Sequence, residues 1–324
     1  MSHYLLTGVA GFIANKVAEF LLAAGHTVFG VDNVNTAYDV RLKHWRLQQL
    51  QDRSGFTFCP ADICDRAALE AVWAGQRFDA VINLAARAGV RYSVENPWVY
   101  FDTNATGTLN LLELCRTHDV QKFVLASTSS LYGAHNPLPF REDADTSRPL
   151  SPYAASKKAA EVLCYTYHHL HQLDVTVFRY FTVYGPAGRP DMSPFRFVQW
   201  VSEGRPVLLY GDGSQSRDFT YVDDIARGTI AGLQPVGYDI INLGSDQPIT
   251  MNQALQTIER AVGREAQVAH QPAHRADMAA TWADVSKAGQ LLGWEPHYNF
   301  EQGIEETVRW YQAQRDWAKE ILTE

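Results

Sequence analysis

The chain has 324 residues, 46% of them hydrophobic, and its 28 Lys and Arg against 36 Asp and Glu give a formal net charge of −8. That length and apolar content allow a sizeable core, built as one large domain or two intimate ones. The acidic balance and the lack of a Lys/Arg-rich run argue against nucleic acid or an anionic membrane surface as partner.

In chain order, "YLLTG" reads as a short strand. "FIANKVAEFLLAAG" reads as a helix, because Ile13, Val17, Phe20, Leu21 and Leu22 fall on one helical face. Gly25 ends that helix and "TVFGVD" follows as a second strand. "FTFCPAD", "AVINLAA", "KFVLAST" and "VTVFRYF" are further strands, separated by helical stretches such as "TLNLLELCRTH" and "AASKKAAEVLCYTYHHLHQ". Strands that are apolar nearly throughout and alternate with helices predict a doubly wound parallel α/β sheet covered on both faces. Beyond residue 185 the alternation loosens, and "FRFVQWVSEG", "PVLLYGDGSQSRDFTYVDDIARG" and the tail after 250 predict a smaller mixed α/β lobe. The expected division is 1–185 and 186–324, with a segment near 222–246, containing "YDIINLGS", returning to the main sheet. No apolar run reaches the roughly 20 residues of a membrane helix. "MSHYLLTG" does not read as a secretory signal, and Cys59, Cys64, Cys115 and Cys164 lack CxxC spacing, so a cytoplasmic protein with reduced thiols is expected.

"TGVAGFIA" puts Gly8 and Gly11 between the first strand and its helix, with Ala14 where a third glycine could stand. Gly8 allows the tight turn, Gly11 lets backbone approach a pyrophosphate, and Ala14 is small enough for close helix–strand packing. The helix N-terminus, at Phe12 and Ile13, offers backbone donors and the positive end of its dipole to phosphates. Asp32 ends the next strand and suits the adenosine ribose hydroxyls. It would repel a 2′-phosphate, which favours NAD over NADP. These are the marks of a Rossmann dinucleotide site. Asn33, Asp62 and Ile63 at the following strand ends, and Leu84, Ala85 and Ala86 after the fourth strand, complete the expected cofactor contacts, with Asp62 meeting the adenine.

"SPYAASKKAAE" places Tyr153 and Lys157 four apart, on one face of a helix. A phenol with pKa near 10 serves as a base at neutral pH only if its anion is favoured by roughly 3 units, on the order of 4 kcal/mol. A neighbouring ammonium and a nicotinamide cation both act in that direction. "ASTSSLYG" ends a strand upstream and offers the hydroxyls of Thr128, Ser129 and Ser130, while Asn104 is a candidate to anchor the lysine through water. Hydroxyl, phenol and ammonium beside a dinucleotide are the parts of a hydride-transfer site.

"TGVAGFIA", "NLAARAGVR", "ASTSSLYG", "YAASK", "RYFTVYGP" and "RDFTYVDDIARG", in this order, resemble the extended short-chain dehydrogenase/reductase family of nucleotide-sugar epimerases and dehydratases over nearly the whole chain. "FTVYGPAGRPDM" is similar to the signature of its UDP-glucuronate 4-epimerases. The resemblance implies a tightly held NAD, a UDP-sugar lying across the two lobes, and a homodimer formed through a four-helix bundle. By family position, Val90 and Arg91 line the sugar or phosphate region and Arg217 binds phosphate. Phe197, Val207, Leu209 and Tyr210 hold uracil, and Asp277 holds the uridine ribose. Asn83 stands where many members have His, which leaves its own role open.

Arg189, in a proline- and glycine-rich loop, can grip the C6 carboxylate of a uronate, bind diphosphate, or be a solvated surface cation. With Thr128, Ser129, Ser130 and Thr182 it best matches a carboxylate, through charge-assisted bidentate bonds. The expected reaction is NAD-dependent 4-epimerisation of a UDP-hexuronate, UDP-glucuronate to UDP-galacturonate, through a 4-keto intermediate. The alternatives are UDP-glucuronate decarboxylase, whose relatives carry Glu at the position of Ser130, and UDP-galactose 4-epimerase, against which Thr182 and Arg189 argue. A 4,6-dehydratase needs an acid/base pair that Ser129 and Ser130 cannot supply. A catalytically silent NAD-binding sensor or scaffold would be expected to lack Tyr153 or Lys157, and both are present.

Overall fold

Five apolar runs in the first 128 residues form strands, each followed by helix that covers it. The computed structural model describes residues 1–272 and 278–323. Its strands β1 (His3–Thr7), β2 (Thr27–Asp32), β3 (Phe56–Pro60), β4 (Ala80–Asn83) and β5 (Lys122–Thr128) alternate with helices α1 (Phe12–Ala23), α2 (Val40–Gln51), α3 (Arg66–Trp73), α4 (Val90–Glu95), α5 (Trp98–Phe101) and α6 (Gly107–Thr117). The long helix α7 (Pro152–His171) then leads into β6 (Asp174–Tyr180).

Further along come β7 (Thr182–Tyr184), α8 (Ser193–Glu203), β8 (Val207–Tyr210), β9 (Ser216–Tyr221), α9 (Val222–Ala231), β10 (Tyr238–Leu243), β11 (Pro248–Thr250), α10 (Met251–Val262), β12 (Val268–Gln271), α11 (Ser286–Leu292) and α12 (Phe300–Ala313). Seven strands make one sheet in the order β10-β6-β5-β4-β1-β2-β3, and every neighbouring pair is parallel. The two faces of this sheet carry separate cores. Leu6, Ile82, Val124 and Phe178 pack beneath α1 and α9, while Leu5, Val81, Phe123 and Val177 pack on the opposite side beneath α6 and α7. Neighbouring residues such as Leu5 and Leu6 therefore serve opposite cores, which is why these strands are apolar throughout instead of alternating.

β10 lies beside β6, from Tyr238↔Val175 to Leu243↔Tyr180, and Ile225, Ile241 and Trp294 join the core under the sheet. The rest of the second half builds a smaller mixed body. It holds a three-stranded sheet β11-β9-β7 and the pair β12-β8, around a core of Phe197, Trp200, Leu209, Phe219, Leu255 and Ile304. Among the described residues, no helix is long and apolar enough to cross a membrane.

The strand order reverses between β1, which leads outward through β2 to β3, and β4, which leads through β5 to β6. A crevice for ligands opens above the carboxyl ends at such a reversal. Thr7, Asn83 and Thr128 end the strands there. Two local departures from regularity lie at this rim. Asp102–Thr106 form a π-helical turn just before α6, and β6 does not run on past Tyr180: β7 leaves the main sheet and pairs with β9. Single π turns re-aim side chains without breaking a helix.

Candidate active site

The turn after β1 is set by sterics. Gly8 has φ of +74°, and a Cβ there would sit 2.8 Å from the Ala85 nitrogen. The Gly11 nitrogen donates to the Gly8 carbonyl at 2.7 Å. Gly11 caps α1 without a side-chain hydrogen bond, and no acid stands in the helix's first turn. The backbone donors at Phe12 and Ile13 are thus left for an anion, which fits the pyrophosphate of a dinucleotide. Beside this turn, Asp32 accepts from the Ala10 and Val34 nitrogens at 3.1 and 2.7 Å, so its carboxylate is held at the crevice edge. Asn33 donates to Asp62 at 2.7 Å. Burial pushes the Asp62 carboxyl up, but the Cys64 amide and Asn33 more than offset this, and its pKa lies below the ordinary value.

Asn83 is buried inside the sheet and acts as a stitch. It accepts from the Thr7 hydroxyl at 2.7 Å and donates to Thr108 at 3.0 Å, and the Thr108 hydroxyl donates to the Asn104 carbonyl at 2.7 Å. Thr7 also accepts from the Ala85 nitrogen at 3.1 Å. This chain ties β1, the 84–86 loop and the π turn together. Asn104 itself binds both backbone groups of Arg87 and the Ser156 hydroxyl, each at 2.9 Å. It therefore fixes the loop after β4 against α7, one residue from Lys157.

Ser151 caps α7 through the Ala154 nitrogen, and Pro152 starts the helix, so Tyr153 sits in its first turn at the crevice. Burial pushes the Tyr153 phenol above its usual pKa, while the Thr128 hydroxyl and the charge of Arg189 pull it down. Lys157 donates to the Ala126 carbonyl at 2.8 Å, and burial lowers its ammonium to about 8 against weaker opposition from Cys164 and Glu161. In this structure the Thr128 hydroxyl and the Arg189 charge favour the phenolate against burial. Ser129 and Ser130 follow Thr128 in a short 3-10 turn, and the Ser130 nitrogen donates to the Thr128 hydroxyl at 3.2 Å.

Arg189 is half-buried and its fork is not open. Its Nε and Nη2 donate to the two oxygens of Asp191 at 3.1 and 2.5 Å, and Nη2 also reaches the Ala88 carbonyl at 3.3 Å. The fork expected from the sequence to await a substrate carboxylate is closed on an internal one, because the chain turns back at Pro190 and puts Asp191 alongside.

Other expected contacts divide. Arg91 lies over the Tyr210 ring at 3.9 Å, which brings α4 to β8 beside Val90. Thr182 opens β7 and Arg217 lies on β9, both partly exposed. Phe197, Val207 and Leu209 are buried in the core of the smaller body, since Phe197 is on the inner face of α8 and Val207 and Leu209 point inward from β8. A uracil touching this strand would meet Tyr210 or backbone rather than those three side chains. Asp277 lies outside the described residues.

Sequence reasoning missed four residues at the site. Arg46, buried on α2, donates to the carbonyls of Ala187 and Gly188 at 2.7 and 3.2 Å and of Ala10 at 3.1 Å, clamping the glycine turn to the Arg189 loop. Lys43, also buried, donates to Asn35 at 3.0 Å, and burial lowers it to about 8 against the pull of Asp32. Tyr100 packs edge-on against Tyr153 with centroids 6.0 Å apart, and its phenol, pushed to about 12 by burial, donates to the Ala88 carbonyl at 3.4 Å. Asp191 is the fourth. For Lys43 and Arg46 a signal existed, since two cations occupy inward positions between Leu42, Leu47 and Leu50 of an amphipathic helix.

The sequence profile described as GDP-mannose 4,6 dehydratase matches residues 5–307. The chain belongs to this family of extended short-chain dehydrogenases/reductases. A UDP-glucuronate 4-epimerase of Thermodesulfobacterium geofontis is 56% identical over 322 residues, covering 99% of each chain. Among solved structures, a family member from Bacillus cereus, a UDP-glucuronic acid 4-epimerase in complex with UDP-glucuronic acid and NAD, superposes with a TM-score of 0.89 at 34% identity. That match covers 96% of this chain and 99% of the other. A UDP-glucose 4-epimerase from Thermotoga maritima, solved with UDP-glucose, also gives 0.89, at 30% identity over 97% and 99% of the two chains.

Proposed function

We propose that the chain is an NAD-dependent UDP-glucuronate 4-epimerase, forming UDP-galacturonate without loss of carbon dioxide. The observation that carries this reading is the Arg189 guanidinium, fixed by the Ala88 carbonyl and near enough to Tyr153 for its charge to oppose the upward push of burial on the phenol. A cation beside the base is what an acidic sugar requires and a neutral hexose does not. The same reading joins the relatives that bind or bear the name of UDP-glucuronic acid.

The cofactor site has the chemistry NAD needs: an uncapped helix N-terminus for the pyrophosphate, Asp32 for the adenosine ribose, and Asp62 with Asn33 farther along. Phe12, Ile13, Ile63, Leu84, Ala85 and Ala86 line the same path. NAD supplies the hydride acceptor, and later the donor, at C4 of the sugar. Tyr153 removes the proton of the 4-hydroxyl as the hydride leaves and returns it at the end, with Thr128 polarising O4 and Lys157 beside it. The 4-keto uronate is a β-keto acid and loses carbon dioxide when the bond to its carboxylate aligns with the ketone π system. Arg189, Thr128, Ser129, Ser130 and Thr182 hold that carboxylate so the bond stays near the ketone plane, a restraint of the kind positioning residues supply. The sugar then turns and takes hydride on its other face.

Val90, Arg91, Tyr210 and Arg217 bind the sugar diphosphate and uridine in this reading. Residues 1–185 carry the cofactor and 186–324 mainly the nucleotide sugar. Ser129 and Ser130 stand where a dehydratase needs an acid/base pair, which supports epimerisation over elimination within the family. A homodimer is part of the same proposal. Trp98 and Phe101 on α5 and Val162 and Tyr165 on α7 are exposed large apolar side chains, and a second copy would cover them.

The test is to incubate purified protein with UDP-glucuronate and, separately, UDP-glucose, and to resolve the products. UDP-galacturonate with little UDP-pentose is expected. Predominant UDP-pentose, or turnover of UDP-glucose alone, overturns the proposal.

A further inference from the structure

We infer that Asp191 is an internal competitor that sets the affinity of this pocket for an acidic sugar. It occupies Arg189 in place of the substrate carboxylate, and a uronate binds by exchanging with it. This rests on the reading of the site as a uronate pocket.

The geometry of the guanidinium carries the inference. A guanidinium offers two edges that can meet a carboxylate with a pair of parallel N–H bonds. The Nε/Nη2 edge of Arg189 is filled by Asp191 at 3.1 and 2.5 Å. The second hydrogen of Nη2 goes to the Ala88 carbonyl at 3.3 Å, so the Nη1/Nη2 edge is half taken. A second carboxylate therefore has no complete edge to grip until Asp191 leaves.

The two partners differ in freedom. Arg189 has 23% of its side chain exposed and is held from two sides. Ala88 anchors the guanidinium, and Arg46 clamps the carbonyls of Ala187 and Gly188 just before it. Asp191 has 41% of its side chain exposed, and Arg196 on α8 also attracts its carboxylate. The carboxylate can therefore turn toward water and Arg196 while the guanidinium stays in place. A uronate carboxylate restores the charge balance that the departing Asp191 removes. The neutral hydroxymethyl group of a hexose cannot, so for a hexose the internal pair stays closed. Asp191 thereby keeps an uncompensated cation out of the pocket when no acid is present, at the cost of weaker uronate binding.

Affinity for a protein whose competent form is only part of the population falls by that fraction. A pair closed most of the time thus weakens uronate binding by about 3- to 10-fold. The test is calorimetric titration of UDP-glucuronate and UDP-glucose into NAD-loaded protein in a Tyr153→Phe background, which prevents turnover. Asp191→Asn should lower Kd for UDP-glucuronate by that factor and leave UDP-glucose unmoved, and in an added Arg189→Ala background it should have no effect. An unchanged or raised Kd overturns the exchange and makes Asp191 a simple buttress. A fall that persists without Arg189 also overturns it, because removing any nearby negative charge would then suffice. Wild-type protein that fails to epimerise UDP-glucuronate, while the exchange signature holds, overturns the proposed function and leaves the exchange standing. Failure of every form to bind UDP-glucuronate overturns both.

Discussion

In the proposed reaction Tyr153 loses a proton near neutral pH, and burial makes that harder. Two groups favour the phenolate, the Thr128 hydroxyl and the Arg189 charge, so in the proposed mechanism Arg189 has two tasks: it grips the acid end of the sugar and it favours the phenolate. Arg189→Ala should therefore reduce kcat/KM for UDP-glucuronate roughly 10- to 100-fold, the range of one charge-assisted hydrogen bond. It should also release UDP-pentose and carbon dioxide, and move the acid limb of the kcat profile to higher pH, because a lost cation raises the pKa of a neighbouring acid. Initial rates across pH together with product analysis measure all three effects. Unchanged turnover with no pentose would remove Arg189 from the mechanism.

Lys157 gives a second residue-scale expectation. It is 3% exposed, and burial lowers its pKa from the ordinary lysine value of 10.5 to about 8. Below pH 8 both folded and unfolded chains hold the proton, so the cost of the buried ammonium is complete. Between pH 8 and 10.5 the unfolded chain binds more protons, and stability rises with pH. Tyr180, Tyr184 and Tyr221, all pushed up by burial, oppose this above pH 10, where the unfolded chain ionises first. Urea midpoints of NAD-free protein should thus increase from pH 7.5 to 9.5. Lys157→Met should flatten that increase by on the order of 1 kcal/mol. An equal increase in both proteins would refute the assignment.

Among elements, α2 and the two loops it joins decide whether the site is assembled. Arg46 satisfies the carbonyls of Ala10, Ala187 and Gly188 from inside the protein, and its Nη1 also meets the Tyr38 hydroxyl at 2.6 Å. Arg46→Met keeps most of the apolar stem but leaves buried acceptors without donors, a loss of about 2–4 kcal/mol. Because the freed loops carry both the glycine turn and Arg189, NAD retention and uronate affinity should fall together. Thermal melts and bound-NAD absorbance after purification measure the two effects. A variant that is destabilised yet retains both ligands would show the clamp to be structural only. The π turn at Asp102–Thr106 acts similarly, turning Asn104 inward to hold the Arg87 backbone and Ser156.

Over the whole molecule, the parallel sheet supplies a rigid floor and the smaller body supplies groups that meet it from above. Arg91 on Tyr210 is one such contact between the halves. Trp98, Phe101, Val162 and Tyr165 are exposed, and the proposed dimer would cover them. Light scattering should give twice the chain mass for the wild type and a monomer for Val162→Asp with Tyr165→Asp. A monomeric wild type would remove the dimer from the proposal.

The amino-acid sequence by itself determined the alternation of strands and helices, the glycine turn, Asp32 at a strand end, and the shared face of Tyr153 and Lys157. Each of these relates residues a few positions apart, where backbone geometry and periodicity leave little choice. Only the tertiary structure decided that Arg189 is closed on Asp191 and anchored by a carbonyl 101 residues away, and that Arg46 reaches a loop 141 residues away. It likewise buried Phe197, Val207 and Leu209 and set Tyr100 against Tyr153. Such contacts depend on how finished elements pack against one another, and no spacing along the chain records that.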